Sequence, residues 1–259
     1  MTDFAQGFLS EQFDEVRDTV RNQYLNWREL LLQLNEQCVV TQHKLSINVN
    51  EPRELLGGAL FARTLASSQA AILLLEYGLL AQAKTVLRSA LESLFALAAI
   101  EAKPALALKL AQSHEANKAS LADKIIQWEN PDLKASISAL IAEAELDKIK
   151  SNQSEKFNTY QLADHAGMKD YYLSTYVLLS FPAHASVVDL IYHLITDDYG
   201  NVIGLKNEPL LDKQEFTWAI AIEIQLLAAK AVKGIFGINC VDIQAHENAL
   251  RTLIAQLDN

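Results

Sequence analysis

The sequence predicts an all-α fold, a bundle of about seven or eight helices with one irregular loop or small hairpin near residues 196–212. Three observations predict it. Gly (9) and Pro (5) are scarce among 259 residues, far below the ~12% of an average chain. Such a chain cannot supply the many tight connections of a sandwich, barrel or propeller. Ala, Leu, Glu, Gln and Lys dominate, and all favour helix. Apolar residues recur at steps of three and four, and at 50% of the chain they are plentiful enough for a large core.

The elements follow in order. Phe13, Val16, Val20, Tyr24, Trp27, Leu31 and Leu34 form one apolar stripe with charges between, and Ser10 suits the N-cap. Residues 1–37 are therefore an amphipathic helix packing on the body or on a second subunit, and 38–51 read as a connector. Pro52 opens a helix that Gly78 stops. A third helix runs from Leu79 to about Ala102, a fourth from Pro104 to about Glu129, and Asn130-Pro131 opens a fifth ending near Lys150. Residues 151–158 are polar and read as a mobile loop. A short helix over 160–166 precedes a long one from Lys169 to about Leu194. Helices over 213–236 and 243–257 complete the chain. No linker demands a second domain, so residues 1–259 are read as one helical domain with its bundle core over 52–257.

Charge excludes some classes of partner. Lys and Arg number 22 against 32 Asp and Glu, a net charge of −10. That field repels polyphosphate, and no basic run offsets it, so nucleic acid is disfavoured. Cys38 and Cys240 form no metal or redox pattern. The N-terminus lacks the basic and apolar segments of a secretory signal. The apolar stretches 171–188 and 216–238 carry Pro182 and His184, and Glu223, Lys230 and Lys233, so buried helices fit them better than membrane spans. A cytoplasmic location is expected, with no membrane, metal or cofactor.

Single charges stand on otherwise uncharged helices. From Ala59 to Leu75 the only charge is Arg63; from Leu79 to Ile100 there are Lys84, Arg88 and Glu92, four apart; from Phe216 to Ala229 there is only Glu223. Helices apolar nearly all round are buried ones, and an isolated buried ion costs several kcal/mol, so these groups need partners. Arg88 and Glu92 can pair at i,i+4, and Arg63 from the neighbouring helix can complete the set. Tyr172, Tyr176, Ser180 and His184 make a polar ridge on a helix that Pro182 interrupts. Arg63, Arg88, Glu92, Tyr176, Ser180 and His184 are the candidate ligand-binding residues. The plainer alternative is that such pairs only fix how helices pack.

These residues resemble a known family. The runs Leu60-Phe61-Ala62-Arg63, Ala70 to Gly78 and Leu87-Arg88-Ser89-Ala90-Leu91-Glu92-Ser93, with Tyr176 to Ser180 and His184-Ala185-Ser186, are similar to an uncharacterised bacterial helical family. That family is defined only as a domain of unknown function. The resemblance spans roughly 55–195 and implies no activity.

Other chemistries lack their signatures. Residues 161–169 have the outline of a helix-turn-helix, but the following helix offers one Lys and one Asp on an apolar body, so an αα corner is the better reading. Asp189, His193 and Asp197 step by four and read as solvated side chains. No di-iron Glu-x-x-His pair, G-x-S-x-G, H-E-x-x-H or phosphate loop occurs. The favoured function is a binding or regulatory module holding a small anionic or polar ligand, or a protein partner. One alternative is a metal-independent hydrolase or ribonuclease, with His184 as acid/base and Arg88 stabilising phosphate charge. Another is a structural homo-oligomer docked through the 13–34 seam.

Overall fold

The computed structural model describes residues 7–10, 13–113, 157–184, 186–205, 208–238 and 240–257, and 76% of the described residues are helical. The chain runs through α1 (Phe13–Gln23), α2 (Leu25–Lys44), α3 (Pro52–Glu76) and α4 (Leu80–Ala102). A helical segment over 106–113 follows; the remaining helices predicted up to residue 150, and most of the predicted 151–158 loop, lie outside the described residues. The chain is described again from α5 (Thr159–His165). α6 covers 169–183 and is α at Lys169–Tyr171, π at Tyr172–Tyr176 and α again at Val177–Ala183. Then come the short α7 (Val187–Leu190), the hairpin strands β1 (Leu194–Thr196) and β2 (Val202–Leu205), α8 (Glu215–Phe236) and α9 (Ile243–Ala255). All-α with one small hairpin is the observed class.

The centre is α3, α4 and α8 packed on one another, with α2 against α8 and α6 against α4. Phe61, Leu65, Leu75, Leu87, Leu91, Phe95, Trp218 and Val232 are all withdrawn from solvent there. Each such side chain contributes about 1.5–3 kcal/mol on burial. α3 is also long and apolar enough to cross a membrane, but in this fold it is a central helix of the bundle. Its end is dictated locally. Gly78 adopts φ +69°, and the amides of Gly78 and Leu79 return to the carbonyls of Leu75 and Leu74 at 2.9 Å. This Schellman closure needs a residue free to turn left-handed.

The N-terminal stripe is spent inside the chain. Phe13, Val20, Tyr24, Trp27, Leu31 and Leu34 are buried, so the 13–34 seam packs on the body and is not available to a second subunit. Two boundaries differ from expectation. The first helix breaks at Tyr24, whose phenol stacks near Trp218 (ring centroids 6.3 Å) and accepts the buried Gln214 amide at 3.2 Å. The expected connector is helical as far as Lys44, because Cys38 and Thr41 continue the inward stripe. A cysteine and a threonine hid that period.

The helix expected over 169–194 ends at Ala183. Pro182 cannot donate to the ladder, and the amides of His184 and Ser186 both turn back to the Phe181 carbonyl, closing the helix within two residues. The hairpin consequently starts at Leu194. Asp197 locks its turn, accepting the amides of Tyr199 (3.0 Å) and Asn201 (2.8 Å) and the Asn201 side chain (3.0 Å). The four-residue stepping of Asp189, His193 and Asp197 is thus not carried on one helix; the Asp189 side chain lies outside the described part. At 161–169 the chain makes an αα corner, with Gly167 at φ +69° and α5 opened by a capping box between Asn158 and Gln161.

Candidate functional site

Two helices, α4 and α6, bring polar groups together on one flank of the bundle. The Lys84, Arg88 and Glu92 stripe of α4 faces α6. Arg88 donates from Nε to Ser180 Oγ (3.0 Å) and from Nη2 to the Tyr176 hydroxyl (2.6 Å). Tyr176 in turn donates to Glu92 Oε1 at 2.8 Å, and Arg88 Nη2 stands 3.2 Å from the same carboxylate oxygen. Ser180 donates onward to the Tyr176 carbonyl at 2.7 Å. The network is closed on itself, while Arg88 and Glu92 keep 23% and 33% of their side-chain surface exposed. The guanidinium also lies over the Tyr176 ring, 4.8 Å from its centroid, a cation–π contact.

The π turn of α6 sets this geometry. Tyr172 and Tyr176 stack at 4.8 Å between centroids, and both pack on Phe95 of α4. Single π turns recur at functional sites because they re-aim side chains without ending the helix. Burial, and then the bond to Glu92, raise the Tyr176 phenol above its ordinary pKa. It therefore remains a neutral donor to the carboxylate.

Two of the six predicted residues stand apart. Arg63 is exposed, and no hydrogen bond or ion pair joins it to the cluster. The expectation failed because α3 owes its lack of charge to alanine: Ala59, Ala66 and Ala70 lie exposed on the same outer stripe as Arg63. Alanine is at home on either side of a helix, so a run without charges is not a buried face. His184 is exposed beyond the end of α6 and makes no bond to Arg88. Glu223, the other isolated charge, is half-buried and accepts the hydroxyl of Tyr171. Burial, reinforced by that bond, pushes the Tyr171 phenol well up.

One helical turn from Arg88, Lys84 lines a cavity of about 150 Å³ at the amino end of α4. Its walls include Leu79, Leu80, Gln82, Tyr192, His193, Pro209, Glu208, Asp212 and Lys213. Leu79 occupies the N-cap position and offers no side-chain acceptor to the first-turn amides. This space escaped the sequence reading, because it forms where the 208–213 segment folds back on Gly78, the Leu210 amide bonding the Gly78 carbonyl at 2.9 Å.

A second polar cluster also went unforeseen. Glu76, 3% exposed, accepts Arg17 Nε (3.0 Å), Arg21 Nη2 (2.8 Å) and Arg28 Nε (2.6 Å). Burial alone would raise its carboxyl, but the bonds from Arg21, Arg28 and Arg17 outweigh that and hold it below the usual range. Arg17, Arg21 and Arg28 share one edge of the N-terminal stripe, and that spacing was the available signal. Among the described residues, no three His, Cys, Asp or Glu side chains converge as a metal set would.

A family model described as a family of unknown function, DUF5677, matches residues 54–201. The chain belongs to that family. The matched span begins at the third residue of α3 and runs through α4, α5, α6, α7 and β1 to the hairpin turn, and so includes Arg88, Glu92, Tyr176 and Ser180 together. No curated protein and no solved structure gives a match. In this DUF5677 chain, α1, α2, α8 and α9 lie outside the family match and supply much of the core around it.

Proposed function

We propose that this DUF5677 protein is a binding module for a small anionic or polar ligand. The ligand sits in the cavity at the amino end of α4, against Lys84, one helical turn from the Arg88 network. One observation carries the reading: successive turns of a single helix put Lys84 in the cavity wall and Arg88 under the hydroxyls of α6. The uncapped first turn of α4 adds amide donors and the positive end of the helix dipole. Glu208 and Asp212 on the opposite wall suit a ligand that also carries an amine or hydroxyl. The recessed part of the space suits a group of about the size of a benzene ring. Within this reading Glu92 and Tyr176 keep Arg88 in place, and Ser180 fixes the plane of its guanidinium.

The test is a thermal-shift screen with inorganic phosphate, acetate and alanine as probes. At about a hundredfold excess over Kd, a bound probe adds about 2.7 kcal/mol and raises the melting temperature. Lys84→Ala should abolish the rise and Arg88→Ala should reduce it, with the circular dichroism spectrum unchanged. A flat response to all three probes, or a rise that survives both substitutions, removes the proposal.

A further inference from the structure

We propose that the cavity between α6, α8 and α9 binds an alkylamine, its ammonium seated on Glu223 and its hydrocarbon body on the leucines beside it. This is a second site, apart from the Lys84 cavity and opposite to it in charge preference. Glu223 is the one charge on α8 between Phe216 and Ala229, and it stands in the wall of a space of about 240 Å³. Leu226 and Leu227 follow it one turn along the same face of α8, Leu250 and Ile254 line the space from α9, and Tyr171 of α6 closes the third side.

The charges of this wall are unevenly matched. Lys230 pairs with Glu247, and Arg251 adds to the positive field on that same carboxylate, so both cations gather at one end. Glu223 lies two turns of α8 away from Lys230, about 10 Å, and the antiparallel course of α9 brings Ile254 level with it. Among the described residues Glu223 accepts only the Tyr171 hydroxyl, at Oε1, and forms no ion pair. Burial and that bond raise the Tyr171 phenol, so it keeps its proton and solvates the carboxylate without neutralising it.

A half-buried carboxylate among leucines is costly without an opposite charge. An ammonium supplies that charge together with several N–H donors, and its apolar tail covers Leu226, Leu227, Leu250 and Ile254. The recessed space suits about nine or ten non-hydrogen atoms, scaled from a cavity of about 150 Å³ that holds benzene. At the far end two cations stand against the single carboxylate of Glu247, which repels a second ammonium. The site therefore selects a monoamine over a diamine of the same length.

The test is calorimetric titration of the full chain at fixed ionic strength with hexylamine, hexanol, hexanoate and hexamethylenediamine. Hexylamine should bind, hexanol about tenfold or more weakly, and hexanoate not at all. The diamine should bind less tightly than hexylamine. Glu223→Gln still accepts the Tyr171 hydroxyl and should weaken hexylamine about tenfold or more, whereas Lys84→Ala should leave it unchanged. Ile254→Trp, at an exposed position of the wall, should block hexylamine without lowering the melting temperature, which keeps the test decisive should Glu223→Gln fail to fold. A diamine that binds more tightly than hexylamine would mean diffuse attraction to a chain of net charge −10 and overturns the proposal. So does the absence of hexylamine binding, or binding undiminished in both Glu223→Gln and Ile254→Trp.

Discussion

Among the described residues, Tyr176 holds the only hydroxyl that bonds both charges of the α4 pair. Replacing it with Phe keeps the stack on Tyr172 and Phe95 but leaves Glu92 with only its ion pair to Arg88, and Arg88 without one acceptor. The expected loss is about 1–2 kcal/mol in urea unfolding, with a greater loss of probe binding than Ser180→Ala. Glu76 is the more costly residue. Glu76→Gln leaves three guanidinium groups around an uncharged amide and should cost about 3 kcal/mol. The sign with pH follows from the lowered carboxyl. Its stabilisation is fully present above the unfolded value of ~4.3 and is lost as pH falls through the lower folded value. Acid titration of stability should therefore be flatter in Glu76→Gln than in the wild type between the unfolded and the folded values.

At the level of elements, α6 and the α3–α4 junction decide where polar groups meet. α6 is short because Pro182 ends it, and the π turn over 172–176 aims Tyr176 at α4 rather than at solvent. At the junction, Gly78 combines a left-handed backbone with a close neighbour: a Cβ there would lie 2.7 Å from the Pro209 Cβ. Gly78→Ala should destabilise by about 1–3 kcal/mol. It should also disturb the cavity, so that any probe response in the thermal screen falls with it. A variant with unchanged stability and unchanged probe response would mean that the 208–213 segment is not seated on Gly78 in solution.

For the whole molecule, Cys38 reports on the core. It is fully buried, and burial pushes its thiol up to about 12; Cys240 is only half-covered. Ellman's reagent should modify Cys240 promptly and Cys38 only at the rate of global opening. Prompt modification of both would show that α2 leaves the bundle easily. The Glu76 cluster ties α1 and α2 to the end of α3, so Glu76→Gln should accelerate Cys38 modification as well.

The all-helical class, most helix starts and the Arg88, Glu92, Tyr176 and Ser180 set were legible in the chain, because periodicity, proline, glycine and a charge on an oily stripe act over a few residues. Which uncharged faces are inward was not legible, since alanine does not discriminate core from surface; Arg63 stood on the wrong side for that reason. Nor could local pattern tell that Arg17, Arg21 and Arg28 close on Glu76, or that the 208–213 segment encloses a space beside Lys84. Those depend on contacts across tens to more than a hundred residues, and only packing of the helices decides which side chains meet.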